Sequence, residues 1–192
     1  NKWIVTTARC IDGYKSKWNY IKSYGTLFDD LRHLIDFNKL NKNNTYTFIM
    51  RHIENRIIEK VDKNELYHIH TRDNISLKEL EEDINIKKPK KHLFESYEEF
   101  KNILDIMTYN TMGYVISYKN EKYLYRCKDY ENVKELKGNN FNIDYNYLEL
   151  KKNNKLDAFI YYFPEYQKLF KYTEHKLSNL YEIIHTFYLN KL

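Results

Sequence analysis

Two hydrophobic periods run through this chain, and their order limits the fold. Up to about residue 150, apolar residues recur both at every second position and at every third or fourth; from Leu156 onward only the helical spacing remains. A strand turns successive side chains to opposite faces, whereas a helix brings residues three and four apart onto one face. Strands and helices mixed, followed by helices alone, describe an α+β protein.

The expected elements follow from the same patterns. Residues 3–7 alternate like a strand, and Leu27, Leu31, Leu34 and Ile35 place an amphipathic helix over 24–35. Three strands are expected at 45–50, 56–61 and 66–71, with Asp62-Lys63-Asn64 as the turn before the last. Ser76-x-x-Glu79 and Ser96-x-x-Glu99 are capping boxes, which predict a short helix and a longer one with Phe100, Ile103, Leu104 and Met107 facing inward. Residues 113–128 alternate as a β-hairpin around Lys119-Asn120-Glu121. A helix holding Phe159, Ile160 and Phe163 is stopped by Pro164, and Leu177, Leu180, Ile184 and Phe187 mark a last amphipathic helix.

With 192 residues, 42% hydrophobic and 31% charged, the chain suits one globular domain with a small appendage and is not a disordered composition. The only cysteines, Cys10 and Cys127, are too far apart for a zinc motif or a disulfide framework, so reduced thiols in a cytoplasmic protein are expected. No apolar run reaches membrane-spanning length, so no membrane partner is expected. The start, Asn1-Lys2-Trp3-Ile4-Val5, is neither a signal peptide nor an initiator Met, which points to a fragment or a processed product. A net charge of +5 is compatible with a polyanionic partner such as RNA.

Arg126-Cys127-Lys128 is the leading candidate for chemistry. Residues two apart on a strand share a face about 6.6 Å apart, a spacing at which a guanidinium and an ammonium can hold adjacent phosphates. Charges that guard a sheet edge are the competing explanation. His68-x-His70 sets two imidazoles on one strand face, but no third metal ligand has an evident spacing, and no metal site is assigned. Lys87-Lys88-Pro89-Lys90-Lys91 reads first as a solvated loop and second as a phosphate contact. Tyr161-Tyr162-Phe163 offers base-stacking rings, although an aromatic run beside a helix-ending proline is more often core. Trp18 reads as a structural anchor.

Several segments together resemble a known family. They are Met112-Gly113-Tyr114-Val115-Ile116, then Tyr125-Arg126-Cys127-Lys128-Asp129-Tyr130, then Val133-Lys134-Glu135-Leu136-Lys137-Gly138-Asn139. Earlier in the chain, residues 46–58 contain Asn55-Arg56-Ile57-Ile58, residues 66–74 end on Arg72-Asp73-Asn74, and Trp3-Ile4-Val5-Thr6-Thr7 opens the series. In order and spacing these resemble the bacteriophage RNA ligase family of nucleotidyltransferases, over most of residues 1–150. The Asn-, Lys-, Ile- and Tyr-rich composition also resembles that of large DNA viruses.

The resemblance implies a ligase- or capping-enzyme-like domain at 1–150, with two antiparallel sheets around a nucleotide groove, and a helical C-terminal piece at 151–192. It implies ATP, a divalent metal such as Mg2+, the joining of RNA ends, and phosphate contacts from Arg126 and Lys128. The departures are as informative. The family's nucleophilic lysine lies in a Lys-x-Asp-Gly motif; Asp12-Gly13 is the one Asp-Gly here, with Cys10 at the lysine position. The Trp3 segment should follow that motif, so Asp12-Gly13 is not aligned with it. Ile49 and Met112 stand where the family has glutamates. No catalytic residue is assigned, and the chain is expected to be inactive; the alternative is a non-catalytic module on the same fold that binds nucleic acid or protein. Because adenylyl transfer needs an amine nucleophile and metal-holding carboxylates, no covalent nucleotide adduct should form. Incubation with labelled ATP or GTP and Mg2+, followed by a denaturing gel, should leave the protein unlabelled, and a surviving labelled band would refute this.

Overall fold

The computed structural model describes residues 2–17, 22–118, 121–140 and 142–191. The chain forms two compact units, Asn1–Ile103 and Leu104–Leu192, and the division falls inside one helix. Each unit has a small antiparallel sheet, the second is otherwise helical, and the α+β expectation holds. The expected boundary at 150/151 lies within a helix, Ile143–Lys152, and helices already dominate from Lys128. No helix among the described residues is long and apolar enough to cross a membrane.

In the N-terminal unit, β1 (Asn44–Arg51) pairs antiparallel with β2 (Glu65–Asp73), which pairs with the short β3 (Glu79–Leu80). One face of β1 and β2 presents Tyr46, Phe48, Met50 and Leu66 to a core of Leu31, Ile35 and Leu40, with Trp3, Phe28, Phe37, Ile84 and Ile86 packed around it. Leu31 and Leu66 are almost fully buried. Ser23 caps α1 (Tyr24–Asp29) by accepting from the Thr26 N–H at 3.1 Å.

Four expectations for this unit are corrected. The helix over 24–35 stops at Asp29, where Leu31 N–H bonds to Phe28 and a 3-10 turn follows at Arg32–Leu34. This tightening keeps Leu31 and Ile35 inward, leaves Leu34 outward, and sends the Asp30 carboxylate toward His52. Residues 56–61 are not a strand: Ile58 is buried, Ile57 is exposed, and one inward side chain does not make a sheet face. Residues 3–7 are not a strand either, since Val5 O accepts from the Gly13 N–H and Trp3 packs against Phe37 and Tyr46.

Ser76 opens no helix. The Asp73 carboxylate accepts first, from Ile75 N–H at 3.1 Å and Ser76 N–H at 2.6 Å, and Leu77 takes a positive φ of 58° in the turn to β3. A side chain that bonds to its own backbone competes directly with helix formation. Ser96 does open α2 (Tyr97–Ile106), where it accepts from Glu99 N–H while the Glu99 carboxylate accepts from Glu95 N–H. Of the expected inner face, Phe100 is buried and Ile103, Leu104 and Met107 are half-buried.

In the C-terminal unit, β4 (Gly113–Tyr118) and β5 (Glu121–Arg126) form the expected hairpin, although Lys119 and Asn120 of its turn lie outside the described residues. Four helices follow: α3 (Lys128–Lys137), α4 (Ile143–Lys152), α5 (Leu156–Tyr162) and α6 (Gln167–Leu189). Their core is aromatic. Phe159 lies 5.0 Å from Phe163, 5.2 Å from Tyr166 and 5.4 Å from Phe170, and Tyr147 lies 5.6 Å from Phe170. Pro164 ends α5 and begins the 3-10 turn that leads into α6.

His68 lies in the N-terminal core, and burial pushes its pKa below the usual value. An unfolded imidazole takes up its proton near pH 6.5, and the folded one takes it up only at lower pH. Below that point the unfolded state binds more protons, so stability of this unit should fall as pH falls. Trp3 packs against Phe37 and Tyr46 of this unit, and its fluorescence therefore reports the unit's unfolding. His68→Gln, which keeps a donor for Thr71 but does not titrate, should flatten the decline in urea midpoint between pH 7 and pH 5. Equal declines in the two proteins would refute the assignment.

Candidate functional site

The Arg126/Lys128 pair does not share a strand face. β5 ends at Arg126, and Lys128 is the first residue of α3. Cys127 between them is fully buried; its N–H donates to Met112 O at 2.9 Å and its thiol to Met107 O at 3.0 Å. The chain turns there, and Asp129 in the first helical turn accepts from Tyr109 N–H at 2.9 Å. Arg126 Nε lies 3.4 Å from Glu131 Oε1, and Lys128 is exposed. The spacing argument for two cations on adjacent phosphates therefore loses its geometric basis, because a buried thiol directs the backbone into a helix.

The two imidazoles of His68-x-His70 also part. The pairing of β1 with β2 shifts between Thr47 and Phe48, so that Thr47 faces His70, Phe48 faces His68 and Ile69 is the extra residue of a bulge. His68 follows Phe48 into the core, where its Nε2 lies 3.0 Å from Thr71 Oγ1. His70 follows Thr47 to the other face, with its Nε2 3.1 Å from Thr47 Oγ1. Period-two spacing held only without the bulge, and no metal can bridge both rings.

The remaining candidates are placed as follows. Lys87 pairs with Glu65 at 2.9 Å, and Lys88 donates to Glu82 O, so the basic loop is fastened in part to its own unit. That bond raises the Lys87 pKa and lowers that of Glu65. Ile49 is exposed on the outer face of β1, opposite Tyr67, and Met112 is exposed just before β4. Of the 161–163 run, Phe163 is core, Tyr162 sits edge-on to Tyr109 at 5.0 Å, and Tyr161 is exposed. Trp18 lies outside the described residues.

One polar cluster has no signal in the sequence. Asp30, His52 and Glu54 bring their donor atoms within 4.8 Å of one another. His52 is buried; its Nε2 lies 3.2 Å from Asp30 Oδ2, and its Nδ1 accepts from Glu54 N–H at 3.2 Å. Lys22 Nζ lies 2.5 Å from Glu54 and 3.9 Å from Asp30, and the Glu54 bond raises its pKa. His52 Nε2 also lies 3.1 Å from the Asn64 amide nitrogen, so both ring nitrogens are engaged inside the cluster. With an ammonium already between the carboxylates, the cluster works as an ion network that ties α1 to the loop after β1.

The C-terminal unit supplies a different kind of site. Along α6, Phe170, Thr173, Leu177, Leu180, Ile184 and Phe187 follow a continuous three-four spacing. Phe170 and Thr173 are buried and Leu177 is half-buried. Beyond them the stripe is bare: Leu180 is 51% exposed, Ile184 59% and Phe187 67%, with Tyr181 and Tyr188 beside them equally open. The expected amphipathic helix is present, and the core ends partway along its apolar stripe.

Next to the stripe, α4 and α6 enclose a groove of about 490 Å³, lined by Leu148, Leu177 and Tyr181 with Tyr147, Lys151 and Glu174. The Tyr147 hydroxyl donates to Glu174, and Lys151 Nζ is 2.8 Å from both groups. These bonds raise the Lys151 pKa and lower that of Glu174. In the hairpin, Gly113, Tyr114 and Ile116 are half-buried and the rest of β4 is exposed. Tyr114, Ile116, Tyr118, Tyr123 and Tyr125 share one face, and Val115 and Leu124 share the other with Lys122 and Arg126. Every β5 side chain is exposed, although a two-stranded hairpin is only marginally stable by itself. No protein-family model matches this chain, nor does any curated protein or solved structure.

Proposed function

We propose that this chain is a protein-association module and that the outer half of α6 is its contact surface. One observation carries this reading: an apolar stripe that begins inside the C-terminal core runs on, uncovered, for three further heptad positions at Leu180, Ile184 and Phe187. Burial of apolar surface is worth about 25 cal/mol per Å², and contiguous apolar patches on soluble monomers mark interaction sites. Between Leu177 and Leu189, Glu182 is the one residue among Asp, Glu, Lys and Arg. The cores of protein interfaces are likewise poor in charge and rich in aromatic residues. RNA ligation is not proposed, because Arg126 ends β5 while Lys128 begins α3, and Ile49 and Met112 bring no carboxylate.

Tagged wild-type chain in cell extract should migrate above its monomer mass, and nuclease treatment should leave that complex intact. The double substitution Ile184→Lys and Phe187→Lys should return it to monomer mass, with thermal stability changed by less than about 1 kcal/mol because both positions are surface-exposed. Wild type at monomer mass, or a complex lost only on nuclease treatment, would defeat the proposal; the latter outcome would restore RNA as the partner.

A further inference from the structure

We propose that the segment between β3 and α2 is a processing site, cut at Lys90–Lys91 by a lysine-directed serine protease. Residues 81–96 make this connection without helix or strand. Connections longer than about 12–15 residues with no structure of their own are usually functional or linkers. Residues 87–93 are all exposed, Leu93 to 97%. A cleft that takes an extended peptide binds its backbone directly, whereas a bond inside a helix or a paired strand must first open.

The four lysines of the segment are not equivalent. Lys87 is held to β2: its carbonyl accepts from His68 N–H at 2.8 Å, and its Nζ pairs with Glu65 at 2.9 Å. Lys88 donates to Glu82 O at 3.1 Å and is followed by Pro89, whose ring crowds the leaving side of the Lys88–Pro89 bond. Lys90 and Lys91 remain, and with Pro89 their backbone makes no hydrogen bond to any described residue. An exposed ammonium on a flexible stem suits a specificity pocket floored by a carboxylate. His92 and Leu93 follow, and the first acidic residue beyond the cut is Glu95. Elsewhere, Lys78 directly precedes Glu79, which is paired in the sheet, and Lys63 pairs with Glu65 at 3.6 Å.

The cut falls where the N-terminal core is left whole. Leu31, Ile35, Leu40, Leu66 and the side chains packed on them all precede Lys87, the last being Ile86. On the far side, Phe94 packs edge-on to Phe100 at 5.2 Å, and Glu95 N–H donates to the Glu99 carboxylate at 2.6 Å. The segment is thus fastened at both ends, and the scissile bonds lie between. Hydrolysis of the Lys91–His92 bond consumes one water. Its oxygen ends on the Lys91 carbonyl carbon as a carboxylate, and the His92 nitrogen takes up hydrogen as a new amino terminus. The products are a chain that carries the N-terminal sheet and one that carries α2 and α6.

Trypsin is the probe. Purified full chain at a low ratio of trypsin, followed by intact mass, should be cut first after Lys90 or Lys91. The nicked protein should keep its cooperative tryptophan fluorescence melt, because Trp3 and its partners Phe37 and Tyr46 lie on one side of the cut. Lys90→Gln with Lys91→Gln should slow the first cut at least about tenfold, since the next bonds must wait for structure to open. Lys90→Arg with Lys91→Arg keeps the cation and should be cut as fast as wild type. First cleavage elsewhere, a glutamine variant cut at the wild-type rate, an arginine variant as slow as the glutamine one, or loss of the melt on nicking would each overturn the proposal.

Discussion

The length of α6 relative to the core that it serves governs the C-terminal unit. Its 23 residues extend about 34 Å at 1.5 Å per residue. The aromatic cluster of Phe159, Phe163, Tyr166 and Tyr147 reaches only its first two turns, at Phe170 and Thr173. Asp144 fastens that inner end from α4, accepting from Thr173 Oγ1 at 2.8 Å and pairing with Lys176. The inner end is therefore fixed, and the outer end projects with its apolar stripe in an orientation already set. A helix anchored in this way loses little further freedom on docking, which is the condition under which a modest apolar area yields useful affinity.

The N-terminal unit depends on a smaller device. One extra residue, Ile69, changes the face of every β2 side chain on one side of it relative to the other. That shift keeps Leu66 and His68 with Met50 and Phe48 while Thr71 joins Tyr46 on the same inner face. Without it, either His68 and Leu66 or Thr71 would point outward, and the bond between His68 and Thr71 could not form. The bulge thus explains both the buried histidine and the absence of a paired imidazole site.

Much of the fold was legible where a pattern was local and uncontested. Alternation located β1, β2 and the hairpin; Ser96 with Glu99 located α2; Pro164 located the end of α5. The misses have particular causes. At Ser76 an aspartate three residues earlier took the backbone N–H groups that a helix would have used. At Lys128 a buried cysteine ended the strand that Arg126 appeared to continue. The Ile69 bulge has no composition signal, because it depends on pairing with a partner strand. The Asp30–His52–Glu54 network joins residues 22 apart or more to its first member and needed the fold to be seen. The α6 stripe was visible as a pattern, but a pattern gives the face of a helix and not the extent of the core that covers it.

Net charge and apolar surface pointed to different partners, and the fold weighs them differently. A charge of +5 suggests a polyanion only if the cations gather on one surface. Many here are matched instead: Lys22 with Glu54, Arg51 with Glu59 and Glu65, Lys87 with Glu65, Arg126 with Glu131, Lys151 with Glu174 and Lys176 with Asp144. Exposed pairs of this kind contribute about 0–1 kcal/mol each to stability, yet each also cancels a charge that a phosphate would need. The α6 stripe has no such internal compensation. Water meets Leu180, Ile184 and Phe187 directly, and only another apolar surface removes that cost. On the association reading, the strongest unmet demand on this molecule is therefore for another apolar surface.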